Sequence, residues 1–124
     1  MSTPNPSKPK ILITGANGLL GQKLVDQLVS QGNFEVIATA RGPSRLSGEG
    51  FMYQVLDIEN QSDVESVIGS LKPNVLIHAA AMTNVDECEL NQEACYRANV
   101  TATEYLIAAA EKVQSHFIFL STDF

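Results

Sequence analysis

Short uninterrupted apolar runs alternate along this chain with longer stretches whose apolar residues recur every three or four positions. The first run, Ile11-Leu12-Ile13 within residues 10–14, stops at a glycine; that is how a parallel strand buried on both faces reads. Residues 18–31 follow with Leu20, Leu24 and Leu28 at fourfold spacing and Val25 and Val29 beside them, which predicts a helix closed by Gly32 and Asn33. Residues 34–40 alternate and are rich in β-formers, predicting a second strand. Three glycines, a proline and two serines make residues 41–50 a loop, and residues 51–56 a third strand ending at Asp57. Asn60 and Ser62 offer caps for a second helix whose inner side is Val64, Val67, Ile68 and Leu71, and which Pro73 stops. Residues 75–81 read as a fourth strand, 87–112 as one long helix or two abutting ones, and 117–120 as a fifth strand.

Strands alternating with helices predict an α/β fold, a doubly wound parallel sheet with helices on both faces. Right-handed crossovers and a central switch point give the strand order 3-2-1-4-5. Residues 1–9, with three prolines and no apolar run, are expected to be a disordered leader rather than a signal peptide, and residues 10–124 the single domain. The fifth strand closes just short of Phe124. A hydrophobic strand left as a bare edge is an aggregation hazard, so the sheet is expected to be truncated after strand 5 relative to a longer protein.

Composition narrows the function classes. A hydrophobic content of 44% in 124 residues suffices for a real core. The net charge of −6 argues against a broad nucleic-acid surface, which needs clustered Lys and Arg. No run of apolar residues is long enough to span a membrane, so a soluble cytoplasmic protein is the expectation. Cys88 and Cys95, seven apart in a segment read as helix, would lie about 10 Å apart along its axis, too far for a disulfide, and are expected to be two buried thiols.

The chemistry concentrates at the predicted carboxyl ends of the strands. Gly15-Ala16-Asn17-Gly18-Leu19-Leu20-Gly21 spells GxxGxxG between the first strand and first helix. A dinucleotide site needs glycines there for a tight turn, for backbone approach to a pyrophosphate and for close helix–strand contact. The helix N-terminus supplies amides and a favourable dipole for the diphosphate. This makes the expected fold of Rossmann type. Where NAD-preferring folds place an acid for the ribose 2′-hydroxyl, this chain has Thr39-Ala40-Arg41, with Arg45 nearby. Guanidinium groups suit a 2′-phosphate, so NADPH is the expected cofactor, with NADH as the alternative; the plainer reading is two solvated loop arginines. Asp57 at the end of the third strand either accepts from the adenine amino group, with the Ile58 backbone beside it, or caps a turn. Ala79, Ala80 and Ala81 are small enough for a flat ribose or nicotinamide to lie against the backbone. His78 reads as a core histidine rather than a base. Tyr96 and Tyr105 read as core. Ser121-Thr122-Asp123 offers a hydroxyl for a substrate carbonyl, although such residues commonly end strands. No metal cluster is expected.

Taken together, ILITGANGLLGQKLV, VLDIEN, NVLIHAAAMTNVDECE, YRANVTATEYLIAAA and FIFLSTDF resemble the extended short-chain dehydrogenases/reductases, and most closely the dTDP-4-dehydrorhamnose reductase (RmlD-like) family. The likeness runs over residues 10–124. It implies an NAD(P)-dependent oxidoreductase acting on a nucleotide-linked 4-keto sugar, as in dTDP-L-rhamnose synthesis, with a homodimer of the full-length form as a further implied partner. By that resemblance Gly15, Gly18 and Gly21 hold the diphosphate, Asp57 and Ile58 meet the adenine, and Ala79, Ala80 and Ala81 line the cofactor. Thr83 and Val85 approach the sugar, Asn99 belongs to the proton-relay region, and Thr122 is the catalytic Ser/Thr that positions the keto group. The family's Tyr-x-x-x-Lys is missing: Tyr53 is followed four on by Asp57, Tyr96 by Val100 and Tyr105 by Ala109. The chain as given is therefore expected to bind cofactor without turnover. A nucleotide-sugar epimerase or dehydratase of the same superfamily is the near alternative. A non-catalytic NADP-binding regulator is another, since the regulatory β subunit of methionine adenosyltransferase is similar to this same reductase family.

Overall fold

The computed structural model describes residues 8–79 and 92–120. Its elements are β1 (Lys10–Thr14), α1 (Leu19–Gln31), β2 (Glu35–Ala40), β3 (Phe51–Val55), α2 (Gln61–Leu71), β4 (Val75–His78), α3 (Gln92–Lys112) and β5 (His116–Phe119). The strands form one parallel sheet in the order β3-β2-β1-β4-β5, as the alternation of elements predicts. Register is set pair by pair from the middle outward: Leu12 lies opposite Ile37 on one side and Leu76 on the other, and Leu76 opposite Phe117.

Side-chain alternation splits the core in two. Leu12, Ile37, Leu56 and Leu76 face α2 and α3 and meet Val64, Val67, Ile68, Leu106, Ala109 and Ala110. Ile11, Ile13, Val36, Ala38 and Ile77 face the other way, onto Val25 of α1. Strands with apolar residues on both faces need both layers of helix, which is why these runs show no polar alternation. β1 at the centre reads as a continuous apolar run, and its Ile11, Leu12 and Ile13 are all buried.

Helix ends follow their local chemistry. The N–H of Gly32 bonds back to the Leu28 carbonyl and closes α1. At the start of α2, Asn60 Oδ1 accepts from the Asp63 N–H at 3.1 Å, and Asp63 Oδ2 accepts from the Asp57 N–H at 2.8 Å. The cap of α2 is thus linked directly to the end of β3. Lys72, in the left-handed region (φ 49°), closes that helix one residue before Pro73.

Three expectations need adjusting or placing. The fourth and fifth strands are shorter or shifted, ending at His78 and Phe119 rather than at 81 and 120. Pro9, read as leader, already touches the sheet margin, its carbonyl accepting from the Glu35 N–H at 2.9 Å. Cys95 is disulfide-bonded, which corrects the expectation of two thiols. Cys88 lies outside the described residues, and the described helix that carries Cys95 begins at Gln92.

Replacing the cap should be felt at β3 as well as at α2. We expect Asn60→Ala to lower stability by about 1 kcal/mol in urea unfolding; an unchanged midpoint would mean that water replaces the cap at no cost.

Candidate functional site

Parallel strands with helices on both sides open a crevice at their carboxyl edge, where successive crossovers leave in opposite directions. Here that point lies between β1 and β4, since β1 runs on to β2 on one side while β4 is reached from β3 on the other. The glycine segment occupies this edge. Gly15 follows β1 with φ 68°, a backbone conformation that costs a side-chain-bearing residue energy. Its carbonyl accepts from the Gly18 N–H at 3.1 Å, and the Ala16 N–H donates to the Thr39 carbonyl at 3.0 Å, tying the turn to β2. Gly18 is the N-cap of α1 and supplies no side-chain cap, and no acidic residue lies in the first turn. The helix therefore begins with exposed positive dipole and amides that no helix carbonyl can satisfy. Leu20 is half-buried and Leu19 stands 82% exposed at this same end.

Gly21 explains how α1 can start so close to the strand. A Cβ there would lie 2.2 Å from the Gly15 carbonyl oxygen and 2.7 Å from Ala16 Cα, both backbone atoms. The third glycine of the motif is thus a packing requirement between turn and helix.

Asn17 does something that spacing alone does not reveal. Its Nδ2 donates to the Pro43 carbonyl at 3.1 Å and its Oδ1 accepts from the Arg45 N–H at 2.8 Å. One side chain of the glycine turn thereby clips the loop after β2 against the turn. The Tyr53 hydroxyl donates to the Gly42 carbonyl, fixing the same loop from β3. Burial pushes the Tyr53 hydroxyl pKa up, while its hydrogen bond with Asn17 pulls the other way.

The two arginines of that loop stand differently. Arg41 pairs with Glu59, and its Nε lies 3.7 Å from Asp57 Oδ1. Arg45 is exposed and has no ion-pair partner among the described residues. Asp57 also accepts from the Glu59 N–H at 3.0 Å, so it is a turn cap as well as a half-exposed carboxylate at the sheet edge. Ile58 packs partly against the α2/α3 core. Glu59 escaped the sequence reading because it lies 18 residues from Arg41, and no local pattern pairs them.

Beside the glycine turn, His78 and Thr14 face each other across β1 and β4, both fully buried. Thr14 Oγ1 lies 2.7 Å from His78 Nδ1 and accepts from the Ala79 N–H at 3.1 Å. Phe117 and Phe119 pack around the imidazole, and its Nε2 has no hydrogen-bond partner among the described residues. Burial pushes the His78 pKa down to about 4, so the ring is neutral near pH 7. It is a core histidine satisfied on one side, in line with its reading as structural. Ala79 is buried against this pair. Asn99 is half-buried on α3, and its backbone carbonyl accepts from Thr103 Oγ1 at 2.7 Å. Tyr105 packs partly against the core. Ala80, Ala81, Thr83, Val85 and Thr122 lie outside the described residues, as does the side chain of Tyr96. No metal-binding cluster occurs among the described residues, and no helix among them is long and apolar enough to cross a membrane.

Two expectations follow. Gly21→Ala should cost about 3 kcal/mol or more, because both opposing atoms are backbone and cannot swing away; unfolding in urea measures it, and a wild-type midpoint would show that α1 can retreat from the turn. For His78 the folded pKa lies below the unfolded value near 6.5, so the unfolded chain binds more protons between the two. Its contribution is intact above that window and is lost as pH falls through it, amounting to about 2 kcal/mol between about pH 7.5 and about pH 5. A His78→Asn variant should show a flatter pH dependence of stability over that interval, and an identical slope would remove His78 as its source.

Residues 9–124 match the RmlD substrate binding domain family. The chain is 41% identical over 115 residues to a dTDP-4-dehydrorhamnose reductase of Aggregatibacter actinomycetemcomitans, covering 93% of this chain and 35% of that protein. It is 30% identical to methionine adenosyltransferase 2 subunit beta of Xenopus laevis, over 96% of this chain and 34% of that one. Among solved structures, a hypothetical dTDP-4-dehydrorhamnose reductase from Sulfolobus tokodaii superposes with a TM-score of 0.73 at 35% identity, covering 93% of this chain and 40% of that chain. The chain thus spans little more than a third of the length of such relatives. With the glycine turn, the switch point and the strand order all in place, it belongs to the RmlD family, within the extended short-chain dehydrogenase/reductase superfamily.

Proposed function

We propose that this chain is the cofactor-holding part of an NADPH-dependent reductase for a nucleotide-linked 4-keto sugar, of the dTDP-4-dehydrorhamnose reductase type. The observation that carries the cofactor reading is the joined pair of features at the switch point. An uncapped helix start over the Gly15–Gly21 turn suits a diphosphate, and Asn17 holds the Arg41–Arg45 loop directly beside it. The residues present fit the group: the first turn of α1 contains no acidic residue, and a Cβ at Gly21 would close the turn. In this reading Gly15, Asn17, Gly18, Leu19, Leu20 and Gly21 surround the diphosphate, and Arg41 and Arg45 face a 2′-phosphate. Asp57 and Ile58 flank the adenine, and Ala79, with Ala80, Ala81 and Asn99, lines the nicotinamide side.

When bound, the cofactor supplies a hydride. Thr122 would donate a hydrogen bond to the 4-keto oxygen, with Thr83 and Val85 against the sugar. None of the three tyrosines of the 124 residues opens a Tyr-x-x-x-Lys, the group that would protonate that oxygen, so the chain by itself should bind without turnover. The likeness to methionine adenosyltransferase 2 subunit beta supports a second reading, a nucleotide-binding regulatory subunit. A Tyr-x-x-x-Lys downstream in the source gene separates the two, since only the reductase requires it.

Calorimetric titration tests the cofactor reading. NADPH should bind more tightly than NADH, and the reverse order would remove Arg41 and Arg45 as phosphate partners. Asn17→Ala should weaken NADPH binding by about fivefold by releasing the loop, with a smaller loss for NADH; equal losses would mean that Asn17 serves the diphosphate alone.

A further inference from the structure

We infer that Glu59 is a specificity-determining residue that holds back the chain's preference for the phosphorylated cofactor. The inference rests on the cofactor reading above and adds a residue that the glycine motif and the arginine loop do not contain. Arg41 is the first residue beyond β2, and its guanidinium lies between two carboxylates. Glu59 accepts from Arg41 Nη2, and Asp57 Oδ1 stands 3.7 Å from Nε. The two acids are themselves joined, since the Glu59 N–H donates to Asp57 Oδ1 at 3.0 Å. They occupy the segment between β3 and α2, and the Asn60–Asp63–Asp57 hydrogen bonds hold it in place.

The electrostatics of this triad differ from those of a lone arginine. One positive and two negative groups leave the cluster with a net charge of −1 where a 2′-phosphate would need a positive one. A phosphate carrying nearly two negative charges must draw Arg41 away from Glu59, or accept Arg41 while Glu59 repels it. NADH, with a 2′-hydroxyl, meets neither cost. Arg45, exposed and unpaired among the described residues, provides the uncompensated charge on the other side of the Asn17 clip. The cofactor selectivity of this site is therefore the difference between an open arginine and a compensated one. All three side chains of the triad are partly exposed, so solvent screens the effect and its size is modest.

The test is a binding cycle on the full 124-residue chain, with Glu59→Gln, Arg41→Ala and the double variant titrated with NADPH and NADH at low salt. Glu59 precedes the α2 cap and is half-exposed, so the glutamine variant should keep the wild-type urea midpoint. Glu59→Gln should tighten NADPH by about fivefold and leave NADH within about twofold. The NADPH gain should shrink in added salt, and it should be smaller in the Arg41→Ala background. If Arg41→Ala weakens NADPH while Glu59→Gln changes nothing, the cofactor reading stands and the role of Glu59 falls. Equal tightening of both cofactors would also overturn it, as a general charge effect. If Arg41→Ala leaves NADPH unaffected, the arginine assignment falls and takes the inference with it.

Discussion

Gly21 stands so close to the turn before α1 that no side-chain atom fits between them. That contact sets the position of the first helix relative to the central strand. Because α1 starts directly on the Gly15–Gly18 turn, its N-terminus is aimed at the carboxyl edge of the sheet, and its inner residue Val25 reaches the cluster formed by Ile11, Ile13 and Val36. The Ala16 N–H bond to Thr39 then couples the same turn to β2. Core packing and the presentation of helix amides are thus consequences of a single close approach. A side chain at this position would oppose both.

The buried polar side chains of the described residues lie at the same edge. Thr14, Thr39 and His78 sit on the neighbouring strands β1, β2 and β4, each near its carboxyl end. Thr39 Oγ1 donates to the Ile13 carbonyl at 2.8 Å, and Thr14 meets His78. These bonds run across strands, so they favour the observed register over a slipped one, in which polar groups would be buried unpaired. The central strands are otherwise apolar on both faces and carry little other information about register. Among the described residues His78 Nε2 finds no partner, and its depressed pKa is the electrostatic counterpart of its burial.

Charge is organised locally in a chain whose total is acidic. The net charge of −6 says nothing about the loop after β2, where two arginines lie within five residues. Asn17 and Tyr53 hold that loop against the glycine turn from two sides. The acids that follow β3 come to the same place because β2 and β3 are neighbours in the sheet, with Ala40 opposite Val55. Sheet adjacency, rather than sequence distance, decides which arginine is compensated.

The amino-acid sequence by itself determined the element order, the parallel sheet and the 3-2-1-4-5 arrangement. Each rests on local periodicity, on Gly, Asn and Pro at element ends, and on the handedness of crossovers, all of which act over a few residues. The glycine turn was legible for the same reason, as were the Asn60 cap of α2 and the burial of His78. Only the tertiary structure decided that Asn17 clips residues 43 and 45, that Thr14 pairs with His78, and that Arg41 goes to Glu59 while Arg45 stays open. It also decided the state of Cys95, which is disulfide-bonded where helical spacing predicts a thiol. Side-chain bonds between residues 18 to 64 apart depend on which strands lie side by side, and periodicity is blind to that until the sheet has formed.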